Sequence, residues 1–253
     1  MISIKTPDEL LKIRAAGKIL AQVASVVLAE AGEGVLLKSL DKLAEELIRK
    51  AGAQPAFLGY QPTGATKPYP CTICTSLNAV VVHGVPTAHK LKSGDLLKLD
   101  FGVRYKGYYA DAAWTVGIGK VSPEAQRLVK VTEKALYKGI QTARSGNTLG
   151  DIGYAIQTYV QSSGFSVIEG LTGHGIGHKL HEDPYIPNEG EQGNGPQLKP
   201  GMVFALEPMV SAGSAQIHSL NDDSYATIDG SLSAHFEHTI IITEQGPEIV
   251  TKL

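Results

Sequence analysis

The feature that most constrains what this chain can fold into is a phrase that occurs twice. Residues 91–101 read Leu-Lys-Ser-Gly-Asp-Leu-Leu-Lys-Leu-Asp-Phe, and residues 198–208 read Leu-Lys-Pro-Gly-Met-Val-Phe-Ala-Leu-Glu-Pro. Each opens Leu-Lys-x-Gly, runs through apolar residues and ends on an acid. The interval from Gly94 to Asp100 equals that from Gly201 to Glu207. A carboxylate at the end of an apolar strand is costly to bury unpaired. One such acid has an ordinary explanation as a satisfied core group. Two at matched places point to a duplicated fold whose halves aim acids at one shared point.

The surroundings of the phrases match as well. His83 precedes the first and His174, in Gly-His-Gly-Ile-Gly, precedes the second; Asp111 follows the first and Glu237 the second. Each half thus supplies a histidine and two acids in the same order. We therefore divide the chain into pseudo-repeats of about residues 1–120 and 121–253 and expect a single catalytic domain over residues 1–253.

Local signals agree with that division. Thr6, Pro7 and Glu9 form a capping box with proline at the first helical position, and Gly32 ends the helix they open. Ser39 is expected to cap a second helix ending at Gly52. Residues 53–70 read as loop from Gly59, Pro62, Gly64, Pro68 and Pro70. Strand is expected over 72–82 with a turn at 76–78. Residues 96–103 and 108–116 read as a hairpin around a tight turn at Tyr105-Lys106-Gly107, which brings Asp100 and Asp111 opposite or nearly opposite. Facing acids repel unless something positive lies between them, and a cation is the economical answer. In the second half Ser122-Pro123 opens a helix to about Arg144, and Thr148 with Asp151 opens another to about Gly164. Strands are expected near Gly173, at 202–210 and at 233–243, and residues 185–200 read as a polar loop.

Composition narrows the classes. Apolar content of 43% and charged content of 19% are ordinary for a globular chain, and a formal net charge of −2 gives no electrostatic attraction to nucleic acid or to an anionic membrane. The N-terminus lacks an apolar signal region, and the most apolar stretch, 19–31, is too short to span a bilayer. A cytoplasmic location follows, with no nucleic acid and no membrane as partner. Cys71 and Cys74 form one Cys-x-x-Cys without the second ligand pair that structural zinc requires, and two buried or half-buried thiols about a strand are the expectation.

Asp100, Asp111, Glu207 and Glu237 with His174 supply four carboxylates and one imidazole. That charge neutralises two divalent cations, and the oxygen-rich set with one histidine suits Mn²⁺, Fe²⁺, Co²⁺ or Zn²⁺. His83, His181 and His238 lie near the set in sequence and are candidates to contact substrate. The glycines at 173, 175 and 177 do not open a helix and make a poor phosphate cradle.

Taken together, His83-Gly84, Asp100-Phe101-Gly102, Tyr109-Ala110-Asp111, Gly173-His174-Gly175-Ile176-Gly177, Glu207-Pro208-Met209 and Phe236-Glu237-His238-Thr239 resemble the methionine aminopeptidases, and the resemblance covers nearly the whole chain. It implies an α+β pita-bread fold, with duplicated halves around a central curved antiparallel sheet flanked by helices. Without an extra N-terminal domain, and with a short stretch between Glu207 and Glu237, the match is to the minimal type I members. By that resemblance Asp100 binds one metal, Asp111 and Glu237 bridge two, and His174 and Glu207 complete the second. Glu207 is also the proton shuttle. His83 lies near the substrate amine and leaving group, and His181 hydrogen-bonds the scissile peptide. The implied reaction is removal of initiator methionine from nascent polypeptides, by attack of a metal-bridging hydroxide on the first peptide bond. The implied setting is a monomer that meets the N-termini of nascent polypeptides, with the ribosome as a candidate partner.

The methionine pocket departs from the family pattern. Tyr60 and Cys74 resemble usual lining residues, but Leu180 stands where phenylalanine is usual. The usual tryptophan near 223–225 is replaced by Asp223-Ser224-Tyr225, and a longer loop carries Lys67-Pro68-Tyr69-Pro70. Tyr69 or Tyr225 is a candidate to fill the gap. Two alternatives stay open: a related peptidase with an Xaa-Pro preference, and a non-catalytic binding protein on the same fold.

Overall fold

The computed structural model describes residues 2–61 and 65–252. The first half runs α1 (Pro7–Glu30), α2 (Leu37–Lys50), β1 (Gln54–Pro55), β2 (Ile73–Leu77), β3 (Val80–Val82), β4 (Leu96–Tyr105) and β5 (Tyr108–Gly117). The second begins with α3 (Pro123–Thr142), α4 (Leu149–Ser162), β6 (Ser166–Val167), β7 (Thr172–Gly175) and β8 (Glu182–Pro187). It continues through β9 (Val203–Leu206), β10 (Met209–Ser211), β11 (Ile217–Ser219), β12 (Tyr225–Thr227), β13 (Ser233–His235), β14 (His238–Thr243) and β15 (Gly246–Ile249).

Helix starts follow the caps read from sequence, with one exception. Glu9 accepts from the Thr6 amide at 2.7 Å while the Thr6 hydroxyl accepts from the Glu9 amide, and Thr148 with Asp151 repeats this arrangement on α4. The Ser122 hydroxyl accepts from the Ala125 amide at 3.1 Å. Helix α2 begins at Leu37, ahead of the expected Ser39 cap, and has no side-chain cap. The backbone replaces it: the Leu37 and Lys38 amides donate to the carbonyls of His89 and Thr87, each at 3.1 Å, satisfying donors that a cap would serve.

Hairpin β4–β5 turns at Lys106 and Gly107, whose φ of 48° and 85° are the left-handed pair of a tight hairpin. Its register pairs Asp100 with Ala113 and Asp111 with Gly102, so the two acids are diagonal neighbours on one face rather than opposite. The turn after β2 falls at Asn78, with φ of 53°, later than expected. Part of the 53–70 stretch is the short strand β1 on the edge of β4; the loop expected at Pro62 and Gly64 lies outside the described residues.

Each of two expected strands is divided at a glutamate. The 202–210 run splits into β9 and β10 around Glu207-Pro208, and the 233–243 run into β13 and β14 around Phe236-Glu237. Proline cannot donate to a ladder, so pairing stops there. Strands β9 and β14 pair with each other in a sheet ordered β15-β14-β9-β7-β8, while β10 and β13 pair in a separate sheet with β6. Both glutamates therefore sit where the chain leaves one sheet for another. Edge strand β8 occupies 182–187, overlapping the polar loop expected from 185; its alternately exposed residues give it a loop-like composition.

A seam joins the halves. Glu237 and Ala113 exchange backbone hydrogen bonds at 2.9 and 3.3 Å. On one side the Thr239 hydroxyl accepts from the Asp111 amide at 2.9 Å and donates to its carbonyl at 2.8 Å. On the other the Thr115 hydroxyl donates to the His235 carbonyl at 2.7 Å and accepts its amide at 2.9 Å. The threonine hydroxyls stand in for absent ladder bonds, and they fix Asp111, Glu237 and His235 against one another. Core side chains from all four helices cover this sheet system, Leu20, Leu40, Leu136 and Ile152 among them. No helix among the described residues is long and apolar enough to cross a membrane.

Candidate metal centre

The five residues singled out by the repeat come together on the floor of a cavity of about 1210 Å³. Asp100 and Asp111 project from the same face of the first-half hairpin, His174 from β7, and Glu207 and Glu237 from the two strand breaks. The His174 Nδ1 donates to the Gly175 carbonyl at 2.9 Å, which fixes the tautomer and turns the Nε2 lone pair into the cluster. There Nε2 lies 3.5 Å from Glu207 Oε1 and 3.9 Å from Asp111 Oδ2. Ligand atoms of Asp111, His174 and Glu237 lie within 4.8 Å of one another, as do those of Glu207, His235 and Glu237. Asp100 belongs to neither triad but lies close enough to Asp111 to share a proton with it.

The electrostatics call for a cation. Burial pushes Glu207 up to about 8 and Asp100 to about 6, and it drives Asp111 and Glu237 well above the carboxylate range, with mutual repulsion adding to the last two. No lysine or arginine side chain forms an ion pair with any of the four among the described residues. Asp100 Oδ1, Asp111 Oδ1 and Glu237 Oε1 are buried with no hydrogen-bond partner. Orphaned carboxylate oxygens beside an imidazole lone pair are the donor set that divalent ions take, so these residues fit the metals that the resemblance implies.

His83 and His181 rim the same cavity, each with surface open to it. His83 is held at φ of 62°, in the left-handed region, between Val82 and Gly84. Gly84 locks it there, its amide donating to Ser76 Oγ and its carbonyl accepting from the Thr75 amide. Its ring meets Tyr225 edge-on at 5.9 Å. The cavity walls strip solvent from both rings and lower each to about 4, so both are neutral near pH 7. His181 stands 4.3 Å from the His174 ring, and its Nδ1 lies 2.7 Å from the Tyr60 hydroxyl.

Tyr60, Cys74, Leu180, Tyr69 and Tyr225 all line the cavity, together with Phe57 and Met209. The Tyr69 hydroxyl donates to the Ile73 and Gly84 carbonyls at 3.0 and 2.9 Å, and its ring stands edge-on to Phe57. Both candidates for the missing aromatic wall are thus present. Residues 65–70 line the same cavity, tied to its other wall by the Thr66 hydroxyl donating to Asp223 at 2.7 Å. Cys71 and Cys74 are free thiols, half-buried and buried at strand β2.

His238 does not join the site. Its Nδ1 lies 3.0 Å from the Thr251 hydroxyl and its ring packs between Trp114 and Tyr137, on the far face of β14. The residue that the sequence reasoning passed over is His235, 1% exposed, with Nε2 3.5 Å from Glu207 Oε2. No local signal separates it from His238, because β13 ends at His235 and strand alternation does not carry on to Glu237.

The model of metallopeptidase family M24 matches residues 11–244. Methionine aminopeptidase 1 of Bacillus subtilis is 46% identical over all of both chains. The crystal structure of methionine aminopeptidase from Thermotoga maritima is 43% identical, covers all of both chains and superposes with a TM-score of 0.95. An Xaa-Pro dipeptidase from Bacillus anthracis is 25% identical with a TM-score of 0.79, and the match spans 62% of that chain. These relatives share the pita-bread fold.

Proposed function

The chain belongs to metallopeptidase family M24, and from that footing we propose that its cavity releases methionine from the N-termini of polypeptides. It is a metallo-aminopeptidase, a hydrolase of the methionine aminopeptidase type. The observation that carries the reading is the convergence of Asp100, Asp111, His174, Glu207 and Glu237, with orphaned oxygens, beneath an aromatic and thioether-lined cavity. Full-length identity to methionine aminopeptidases, against partial overlap with the dipeptidase, supports this reading over the Xaa-Pro alternative.

Family membership implies divalent metal ions; we assign two, drawn from Co²⁺, Mn²⁺, Fe²⁺ or Zn²⁺. Asp100 would hold one, Asp111 and Glu237 both, and His174 and Glu207 the other. When bound, such ions polarise the scissile carbonyl and make water a competent nucleophile at neutral pH.

The remaining work belongs to the chain's own side chains. Glu207, buried among the acids and beside His174, is placed to take up a proton and pass it on. Tyr60, whose hydroxyl stays protonated, donates to His181 Nδ1 and leaves Nε2–H to donate to the peptide carbonyl. His83, neutral and aimed into the cavity, offers a hydrogen bond to the substrate amide and its leaving nitrogen. Phe57, Tyr69, Cys74 and Leu180 give the unbranched methionine side chain a mostly apolar wall. The substrates are N-termini of nascent polypeptides, met by a cytoplasmic monomer without nucleic acid or membrane.

The test is methionine release from Met-Ala-Ser, Met-Leu-Ser and Ala-Pro peptides, with Mn²⁺ or Co²⁺ and again with chelator. Metal-dependent cleavage of Met-Ala-Ser is expected. Cleavage of Ala-Pro alone would keep the metal site and overturn the substrate.

A further inference from the structure

His235 is a buried imidazole beside Glu207, behind the acids that line the cavity, and the reaction above gives it no task. We propose that His235 is a further metal ligand, giving the centre a second imidazole on the side away from His174. The inference rests on the metal centre assigned above and adds a residue to it.

Three observations carry it. The strand holds the side chain in place, since the His235 amide and carbonyl both bond to the Thr115 hydroxyl across the seam. Its Nε2 is buried and has no hydrogen-bond partner, although Glu207 Oε2 lies 3.5 Å away. That distance brings the two together without a hydrogen bond. Finally, a ring nitrogen of His235 falls with a Glu207 oxygen and a Glu237 oxygen inside 4.8 Å, the same compass that holds Asp111, His174 and Glu237. The two triads share Glu237 and carry one imidazole each. His238, three residues on, shows what a structural histidine looks like in this fold: its Nδ1 is paired with Thr251 and its ring meets Trp114 edge-on and Tyr137 at a tilt. His235 Nε2 has no such partner.

The chemical consequence is a donor set of four carboxylates and two imidazoles. Imidazole favours Fe²⁺, Co²⁺ and Zn²⁺ over the harder Mn²⁺, so the second ring biases the centre toward the borderline ions.

The deciding measurement is the proton NMR spectrum of the full chain loaded with Co²⁺, in which only metal-bound imidazoles give far-shifted ring signals. Signals from two rings are expected. Signals from one ring alone overturn the proposal and leave the metal centre standing; failure to bind Co²⁺ at all removes both. Calorimetric Co²⁺ titration of H235A and H235Q, checked for folding by circular dichroism, supplies the second arm. Both variants should bind the more weakly held ion at least about tenfold more weakly, and lose one ring from the spectrum. Unchanged affinity in both, or a loss in H235A that H235Q restores, overturns the proposal; the latter would make His235 a hydrogen-bonding neighbour of Glu207. Should neither variant fold, the spectrum of the unaltered chain still decides.

Discussion

At the scale of single residues, the site works by leaving polar atoms without partners. Glu237 belongs to both ligand triads and has an orphaned oxygen. The Glu237→Ala variant should lose activity and hold fewer metal ions per chain, read by peptide cleavage and metal analysis; full turnover at low metal would sink the dinuclear assignment. Tyr60 offers a gentler change. Tyr60→Phe removes one hydrogen bond to His181, worth about 1 kcal/mol, and should lower kcat roughly fivefold with little change in metal affinity. An unaltered kcat would mean that the His181 tautomer is set by something else. The acids were legible in the sequence because burying them beside apolar runs required a reason. His235 was not, because nothing local distinguishes it from His238; only the seam shows which of the two faces the acids.

At the scale of elements, two devices set the geometry. Capped helices frame the sheet, and the threonine-bridged seam registers one half on the other. Thr239→Val leaves the Asp111 amide and carbonyl unsatisfied in a buried place, and should cost about 1–3 kcal/mol in urea unfolding. Thr6→Ala removes one capping box at the exposed start of α1 and should cost only about 1 kcal/mol. A larger loss from Thr6→Ala than from Thr239→Val would contradict the weight placed on the seam. The strand breaks at Glu207 and Glu237 escaped the sequence pattern because apolar residues continue across both, so periodicity alone reads through them. Pro208 was the visible clue to the first break. Nothing equivalent marks the second, where the separate pairing of β13 with β10 decides it.

At the scale of the molecule, metal and fold are linked. Asp100, Asp111, Glu207 and Glu237 take up protons more readily in the folded, metal-free chain than when unfolded. Groups with raised folded affinity lend stability at low pH and lose it as pH rises through the folded value. The buried histidines oppose this below their ordinary 6.5: His83, His181 and His235 are lowered to about 4 and His174 to about 3, so they cost stability as pH falls. Between 6.5 and about 8, the Glu207 value, the raised acids outnumber the one buried amine that opposes them, Lys98, which burial holds well below its ordinary value. The chelated protein should therefore lose thermal stability across that interval, and saturating Mn²⁺ or Co²⁺ should restore it, by about 2.7 kcal/mol at a hundredfold excess over Kd. A chelated protein whose Tm is flat from pH 6.5 to 8 would show that the acids are not held together without metal.

By itself the sequence determined the duplicated plan, the helix starts at Thr6, Ser122 and Thr148, the β4–β5 hairpin and the five acid and histidine positions. All of these follow from local chemistry: caps satisfy nearby amides, turns need glycine, and an acid in an apolar run needs a partner. Only the tertiary structure decided how the halves meet. The diagonal offset of Asp100 and Asp111 is set by ladder register, the breaks at both glutamates by a choice between two sheets, and the inward turn of His235 by Thr115 across the seam. The first two are choices of strand pairing within a half, and the seam joins residues more than a hundred positions apart, Thr115 with His235 and Asp111 with Thr239; no local pattern encodes either.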